Sequence, residues 1–280
     1  MKTFQEFAAS NGVLIDSIIH GKIVRCPTKE NPDKKNGAYL FNDEWGWCQS
    51  WEIHSEPVFW KDKSIRTEEQ QAALERKIAK SREEYARNRA RMQQEAARKA
   101  RWILGECELT EHKYIQRKGF KEYPVNVWQK DDHQLLIVPM YYKNAICGCQ
   151  MINDDGEKKF LTGQRTSLAY FKIGNGKQVF LVEGFASGIA LQTILSSIGC
   201  QSTIYVTFSV GNATKMAKYL PMAYWIADHD SGAGVGQSAA EASGLRWWMP
   251  SVENWDINDA YLAQGKLKTG MQIKKFLMGK

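Results

Sequence analysis

No stretch of the 280-residue sequence reaches the roughly 18 consecutive apolar residues that a membrane-spanning helix needs, so no membrane partner is expected. The first residues, Met1–Ile19, lack a continuous apolar core and a small-residue cleavage site. They read as the start of a folded domain rather than an export leader, and the expected location is the cytoplasm. Cys26, Cys48, Cys107, Cys147, Cys149 and Cys200 form no C-x-x-C pair, which points to reduced thiols. Cys26 and Cys48 with His20 or His54 match no standard zinc spacing, so no zinc is expected. Repeats and low-complexity tracts are absent, and the apolar and charged fractions are those of an ordinary globular chain, which excludes disorder as the default.

The formal charge of +7 points toward polyanionic partners, and its distribution says more than its size. Thirteen Lys/Arg against seven Asp/Glu fall between Lys61 and Arg101, so this segment holds most of the excess. From about Thr67 to Leu104, Pro and Gly disappear and strong helix formers dominate. Leu74, Ile78, Tyr85, Met92, Ala96 and Ile103 recur in steps of four and seven, one narrow apolar stripe on a long basic helix. Thr67-Glu68-Glu69-Gln70 supplies a capping box at its start. The residues before it are rich in aromatics and turn formers, with strands expected at Lys22–Cys26, Ala38–Asn42 and Gly46–Trp51 after a short helix. Trp45, Trp47, Trp51 and Trp60 could stack bases of single-stranded DNA, although core packing is the simpler use for most of them.

Beyond the helix, His112–Lys118 reads as helical and Gln134–Met140 and Ala145–Asn153 as strands. Asn153-Asp154-Asp155-Gly156 is a hairpin turn into Lys158–Leu161. From Gln178 the pattern changes to short apolar strands, Val179–Val182, Thr203–Val206, Ala223–Ala227 and Arg246–Met249. Helices over Ala186–Ser197, Ala213–Tyr219, Gly236–Ser243, Ile257–Ala263 and Gly270–Met278 separate or follow them. Such alternation implies a mostly parallel sheet covered on both faces, with ligands at the carboxyl ends of its strands.

Acidic residues fall at those ends. Glu183 follows the first of these strands, Asp228 and Asp230 follow the third, and Asp256 and Asp259 come soon after the fourth. Magnesium takes hard oxygen ligands, usually a few carboxylates with waters and substrate phosphates. Alternating acids such as Asp228-His229-Asp230 can both turn toward one ion, which would neutralise phosphate charge and align reacting oxygens. Glu183, standing apart, suits proton transfer. His229 between the two aspartates could alter the local charge near neutral pH.

Val182-Glu183-Gly184-Phe185-Ala186-Ser187-Gly188-Ile189-Ala190 resembles the first TOPRIM motif, and Ile226-Ala227-Asp228-His229-Asp230-Ser231-Gly232 resembles the second, the D-x-D. Trp255-Asp256-Ile257-Asn258-Asp259 is similar to the acidic stretch that follows in phage and plasmid members, and Thr207–Asn212 to the turn between the motifs. His112-Lys113-Tyr114-Ile115-Gln116-Arg117-Lys118-Gly119 resembles the H-x-Y-L-x-R-K-G stretch of phage and plasmid primases. Leu135–Met140 with Gly156–Leu161 is similar to the lobe before their TOPRIM fold, and Arg25–Thr28 with Lys35–Tyr39 to their N-terminal modules.

The resemblance implies a DnaG-type primase core with an α/β fold. A TOPRIM doubly wound, mostly parallel sheet would occupy 176–280, an α+β lobe 107–175, a long basic helix and linker 63–106, and a small N-terminal α+β domain 1–62. It implies RNA primer synthesis on single-stranded DNA from ribonucleoside triphosphates, with magnesium, or manganese in its place. Glu183 would be the general acid/base, Asp228 and Asp230 with Asp256 and Asp259 would hold metal, and Arg117, Lys118, Lys158, Lys159 and Arg165 would meet nucleotide phosphates or template. A separate replicative helicase would be a partner, since no G-x-x-x-x-G-K-[ST] loop is present. The host of a phage-encoded chain would supply a bacterial cytoplasm. Unlike many primases, the N-terminal module has no four-cysteine or Cys/His zinc ribbon. A TOPRIM nuclease and a non-catalytic DNA-binding replication accessory protein are the alternatives.

Overall fold

The computed structural model describes residues 2–54, 56–62, 66–131, 133–231 and 234–279. Gly232 of the D-x-D stretch and Lys63, at the expected start of the linker segment, lie outside them. The chain is a mixed α/β protein, and its contacts divide it into two compact units, residues 1–88 and 89–280.

In the first unit, α1 (Phe4–Ser10) opens with a capping box: the Glu6 N–H donates to Thr3 Oγ1 at 3.2 Å and the Thr3 N–H to Glu6 Oε2 at 2.8 Å. Strands β1 (Val24–Cys26), β2 (Gly37–Asn42), β3 (Trp45–Ser50) and β4 (Val58–Lys61) form an antiparallel sheet in chain order. Its alternating side chains feed two cores. Tyr39 and Cys48 point to one face, with Phe4, Ala8, Val13 and Cys26. Ala38 and Trp47 point to the other, where Trp45, Leu74 and Ile78 close the layer. Core packing takes up Trp45 and Trp47, and Trp60 packs edge-on against Phe4 at 5.6 Å. Trp51 stays open to solvent beneath the Arg25 guanidinium, 4.0 Å from its ring centre. Burial pushes the Cys26 thiol up to about 11 and the Cys48 thiol to about 12, so both sulfurs stay protonated in this core.

The long helix α2 (Glu68–Gly105) starts as its sequence predicts, with Thr67 and Gln70 exchanging backbone-to-side-chain hydrogen bonds of 3.0 and 3.3 Å. The boundary between the two units falls inside it. Its apolar stripe is therefore divided between two cores: Leu74 and Ile78 belong to the first unit, Ala96, Ala100 and Ile103 to the second. Met92, between them, is exposed. Leu74→Ala should lower the stability of the first unit by about 2–4 kcal/mol, read by denaturant unfolding, because the side chain is fully buried against the tryptophan face.

The second unit holds two sheets. Strands β5 (Glu108–Thr110), β6 (Val125–Lys130), β7 (His133–Tyr142), β8 (Ala145–Ile152) and β9 (Lys158–Phe160) pair antiparallel in chain order, with the short helix α3 (Lys113–Arg117) inserted after β5. One face, through Ile137 and Cys149, receives Ala96, Ala100 and Ile103 of α2. Val127, Leu136, Val138 and Ile152 face the other way, against Tyr114, Ile115 and Phe120.

The remaining elements are β10 (Phe171–Gly174), β11 (Gln178–Val182), α4 (Phe185–Ser197), β12 (Ser202–Val206), α5 (Val210–Ala217), β13 (Tyr224–Ile226), α6 (Val235–Ala242), β14 (Arg246–Trp248) and α7 (Ile257–Leu277). The sheet order is β10-β12-β11-β13-β14, parallel except for β10, which runs antiparallel to β12. Phe180, Val182 and Ile226 pack against α4 and α7 on one face, and Leu181, Trp225 and Ala227 against α5 and α6 on the other. Helix α4 is apolar nearly all round for a reason. Its Phe185, Ala186, Ile189 and Ala190 join the core of the antiparallel sheet, while Leu191, Ile194 and Leu195 join that of the parallel one. Helix α7 is interrupted at Gly265, where φ is 76° and ψ 159°, between the two helical segments that the sequence predicts. Among the described residues no helix is long and apolar enough to cross a membrane.

Candidate acidic site

Two adjacent parallel strands, β11 and β13, end at one edge of the sheet and each delivers a carboxylate there. Glu183 follows β11 directly, and Asp228 stands two residues beyond β13. The main chain fixes the turn opposite Glu183: the Thr207 N–H donates to the Val182 carbonyl and the Phe208 N–H to the Glu183 carbonyl, both at 2.9 Å. This turn leads into α5, whose Val210 N–H bears on the Glu183 carboxylate and favours its charged form. Asp230 is reached from α6, the Gly236 N–H donating to its Oδ2 at 3.2 Å. A side chain at Gly236 would place its Cβ 3.0 Å from both that oxygen and the Asp228 carbonyl, so glycine permits the close approach.

The electrostatics tie these groups together. Burial raises the proton affinity of Glu183, and the charges of Asp230 and Asp256 add to it; Lys158 and the Val210 N–H oppose. Asp228 is pushed up to about 8, first by burial and then by Asp256, Glu183 and Asp230, with Lys158 again opposing. Four carboxylates therefore lie within electrostatic reach of one another, and Lys158 of β9 brings positive charge to them from the antiparallel sheet.

Asp256 and Asp259 are placed by a different rule. Asp256 caps α7 and forms a capping box with Asp259, their backbone-to-side-chain bonds being 2.9 and 3.0 Å. The second oxygen of Asp256 accepts from Ser187 Oγ of α4 at 3.1 Å, and Asp259 Oδ1 lies 3.9 Å from Lys118 Nζ. Asp256 thus faces the cluster while serving its helix, and Asp259 turns toward Lys118.

The other basic residues divide. Arg117 donates to the Asp154 carbonyl in the β8–β9 turn. Arg165 lies over the Tyr142 ring, 3.7 Å from its centre, and donates to the Ser167 carbonyl at 3.2 Å. Lys159 is exposed on β9, opposite Met151. The His229 Nδ1–H donates to the Pro250 carbonyl at 2.9 Å, which takes that nitrogen out of any ligand role.

Among the described residues, no three His, Cys, Asp or Glu side chains are gathered as a set that could hold a metal ion. Magnesium is commonly held by only one or two carboxylates with waters and substrate phosphates. Two carboxylate residues at Asp228 and Asp230 meet that requirement, and the raised affinity of Asp228 for a proton comes first from burial and then from the neighbouring carboxylates. A hard divalent cation fits this donor chemistry.

A DNA primase domain from Pseudomonas aeruginosa is similar in structure. The TM-score is 0.36 at 14% identity, over 62% of this chain and 57% of that one, so the likeness covers little more than half of that domain. No family model and no curated protein sequence matches the chain.

Several groups beside the carboxylates are only faintly marked, or not marked, in the sequence. Ser187 is buried in α4 and reaches Asp256. Asn258 is fully buried and donates to the Lys118 carbonyl at 2.9 Å, tying α7 to α3. Tyr114 is buried, and its hydroxyl is pushed up to about 12 by burial with the charges of Asp256 and Asp259 adding, so it holds its proton. Only the N-D pair in Trp255–Asp259 and the Tyr in His112–Gly119 hint at the last two.

Proposed function

We infer that the chain is a magnesium-dependent DNA primase, or a primase-like nucleotidyltransferase, that makes short RNA primers on single-stranded DNA from ribonucleoside triphosphates. The observation that carries this reading is the half-buried cluster of Glu183, Asp228 and Asp256 with Asp230, at the carboxyl edge of parallel strands and faced by Lys158. The strand order, with helices on both faces, supports a TOPRIM doubly wound sheet whose parallel strands fall within the 176–280 that the sequence suggests, while its antiparallel edge strand β10 (Phe171–Gly174) precedes that limit.

In this reading Glu183 accepts the proton of the attacking hydroxyl at its carboxylate, a task suited to a carboxylate whose proton affinity burial has raised. Asp228 and Asp230 would hold magnesium, with Asp256 assisting from the cap of α7. When bound, the metal supplies charge neutralisation at the phosphates and alignment of the reacting oxygens. Lys158 draws the nucleotide phosphates toward the carboxylates, and Lys118 meets the template backbone on the Asp259 side. Lys159, Arg117 and Arg165 contribute positive potential farther from the cluster. A replicative helicase encoded separately, and a bacterial cytoplasm hosting a phage or mobile element, complete the setting.

The test is primer synthesis with labelled ribonucleotides on single-stranded DNA, with and without magnesium. Extended oligonucleotide that appears only with the metal is the expected product. Degraded template would replace the reading with a nuclease, and salt-sensitive DNA binding with no product would replace it with an accessory binder.

A further inference from the structure

We propose that Phe160, backed by Phe208, forms a stacking platform for a nucleobase beside the acidic cluster; the subsite rests on the nucleic-acid reading of that cluster. Phe160 ends the three-residue edge strand β9 and leaves 41% of its surface exposed. Its ring meets that of Phe208 nearly perpendicular, at 83° and 6.3 Å between centres. Phe208 is bound to the site by its main chain, through the N–H that donates to the Glu183 carbonyl at 2.9 Å. The aromatic pair is therefore tied to the base of the general acid/base residue and not to a remote surface.

Phe208 adopts φ of 66°, a left-handed conformation that is a clear outlier for a bulky side chain and that glycine or asparagine would adopt more easily. Part of its ring packs on the neighbouring cores, which helps to hold it there. The result is an aromatic ring projected at the turn that faces Glu183, supporting a second ring that nothing in its own strand requires.

Lys158 places a positive charge beside this ring. It lies two residues before Phe160, so both side chains leave β9 on the same face, while Lys159 leaves on the other. Two residues along a strand span about 6.6 Å, comparable with the separation of a base from the phosphate of its own nucleotide. Lys158 already bears electrostatically on Glu183 and Asp228. A base lying on Phe160 would thus leave its phosphate between Lys158 and the carboxylates. The shared ligand chemistry is a heteroaromatic base carrying phosphate, from either an incoming ribonucleotide or a template strand.

The test uses the full chain as wild type, Phe160→Ala and Phe160→Trp, with ATP, a thymidine oligomer of about a dozen nucleotides and an abasic oligomer of the same length as separate probes. Because Phe160 ends a short edge strand and lies outside the buried cores, the variants should stay folded and melt within a few degrees of wild type. The alanine variant should bind either ATP or the thymidine oligomer about tenfold more weakly, and the probe affected identifies the source of the base. Tryptophan should restore that affinity, and the abasic oligomer should not distinguish the three proteins. Unchanged affinity of the alanine variant for both base-carrying probes, or an equal loss for the abasic oligomer, would overturn the platform. If wild type makes primers in either case, the platform falls alone. If wild type binds no probe and makes no primers, the reading of the whole cluster falls with it.

Discussion

Asp228→Asn is expected to abolish primer synthesis and, in the same protein, to raise stability above pH 8. Burial and the charges of Asp256, Glu183 and Asp230 push the Asp228 carboxyl from its ordinary 3.8 to about 8 in the folded chain. Between these values the native state holds a proton that the unfolded state has lost. Stability therefore falls as the pH rises from about 4 to about 8, and the full penalty persists above that range. Asparagine has the shape without the charge, so the variant keeps what wild type loses. The displacement from 3.8 to about 8 sets an upper bound of roughly 5 kcal/mol, and relaxation around the charge reduces it to a few. For a unit of this size that is a gain of about 5–10 °C in Tm at pH 9. The two proteins should melt together only below about pH 4, where Asp228 is protonated in the folded and the unfolded wild type alike, and should diverge as the pH rises toward 8.

The activity change has the opposite sign. If Asp228 holds metal and Glu183 transfers the proton, as proposed above, Asp228→Asn and Glu183→Gln should each lower primer synthesis by roughly two to four orders of magnitude. Magnesium should raise the Tm of wild type at pH 9 and leave that of Asp228→Asn almost unmoved, since an ion that binds only the native state stabilises it. Coincident melting curves of wild type and Asp228→Asn at pH 9 would show that Asp228 bears no unbalanced charge, and the electrostatic basis of the site would be lost.

Much of this edge is legible in the sequence because strand ends are. Val179–Val182 and Ala223–Ala227 are short apolar runs that stop at an acid, and the period of the parallel sheet then carries those acids to one side. The apolar stripe of α2 is equally legible, but its division between two cores is not: spacing identifies a buried face without saying what covers it. Strands β4 and β10 escape notice for a related reason. Phe171-Lys172-Ile173-Gly174 is four residues long, and only its antiparallel pairing with β12 makes it a strand. Asp256 and Asp259 look like ligands in sequence, yet a capping box needs the same two carboxylates at the same spacing. Phe208 is the least visible of all, because its residue type argues against the left-handed backbone it adopts.

Asn212→Leu should lower stability by about 3–5 kcal/mol although leucine keeps the same branched side-chain skeleton as asparagine. Asn212 is buried, and its side chain answers three backbone groups at once. Its Oδ1 accepts the Leu168 N–H at 2.7 Å, and its Nδ2 donates to the Ala169 carbonyl at 2.7 Å and the Thr207 carbonyl at 2.8 Å. Leucine fills the space and answers none, and each buried group left without a partner costs about 1–3 kcal/mol, less where water reaches it. Asn212→Asp keeps the bond from Leu168 but sets a buried carboxylate oxygen against the Ala169 and Thr207 carbonyls, so its unfolding midpoint should also fall well below that of wild type. The clamp also acts on the site. By holding the Thr207 carbonyl it restrains the turn in which Phe208 takes its left-handed conformation and from which the Val210 N–H reaches the Glu183 carboxylate. Primer synthesis by Asn212→Leu should therefore stay about tenfold below wild type even at a temperature where circular dichroism shows the variant fully folded. A variant that unfolds within about 1 kcal/mol of wild type would mean that water replaces the clamp without loss, and the turn would then be held by the backbone bonds of Thr207 and Phe208 alone.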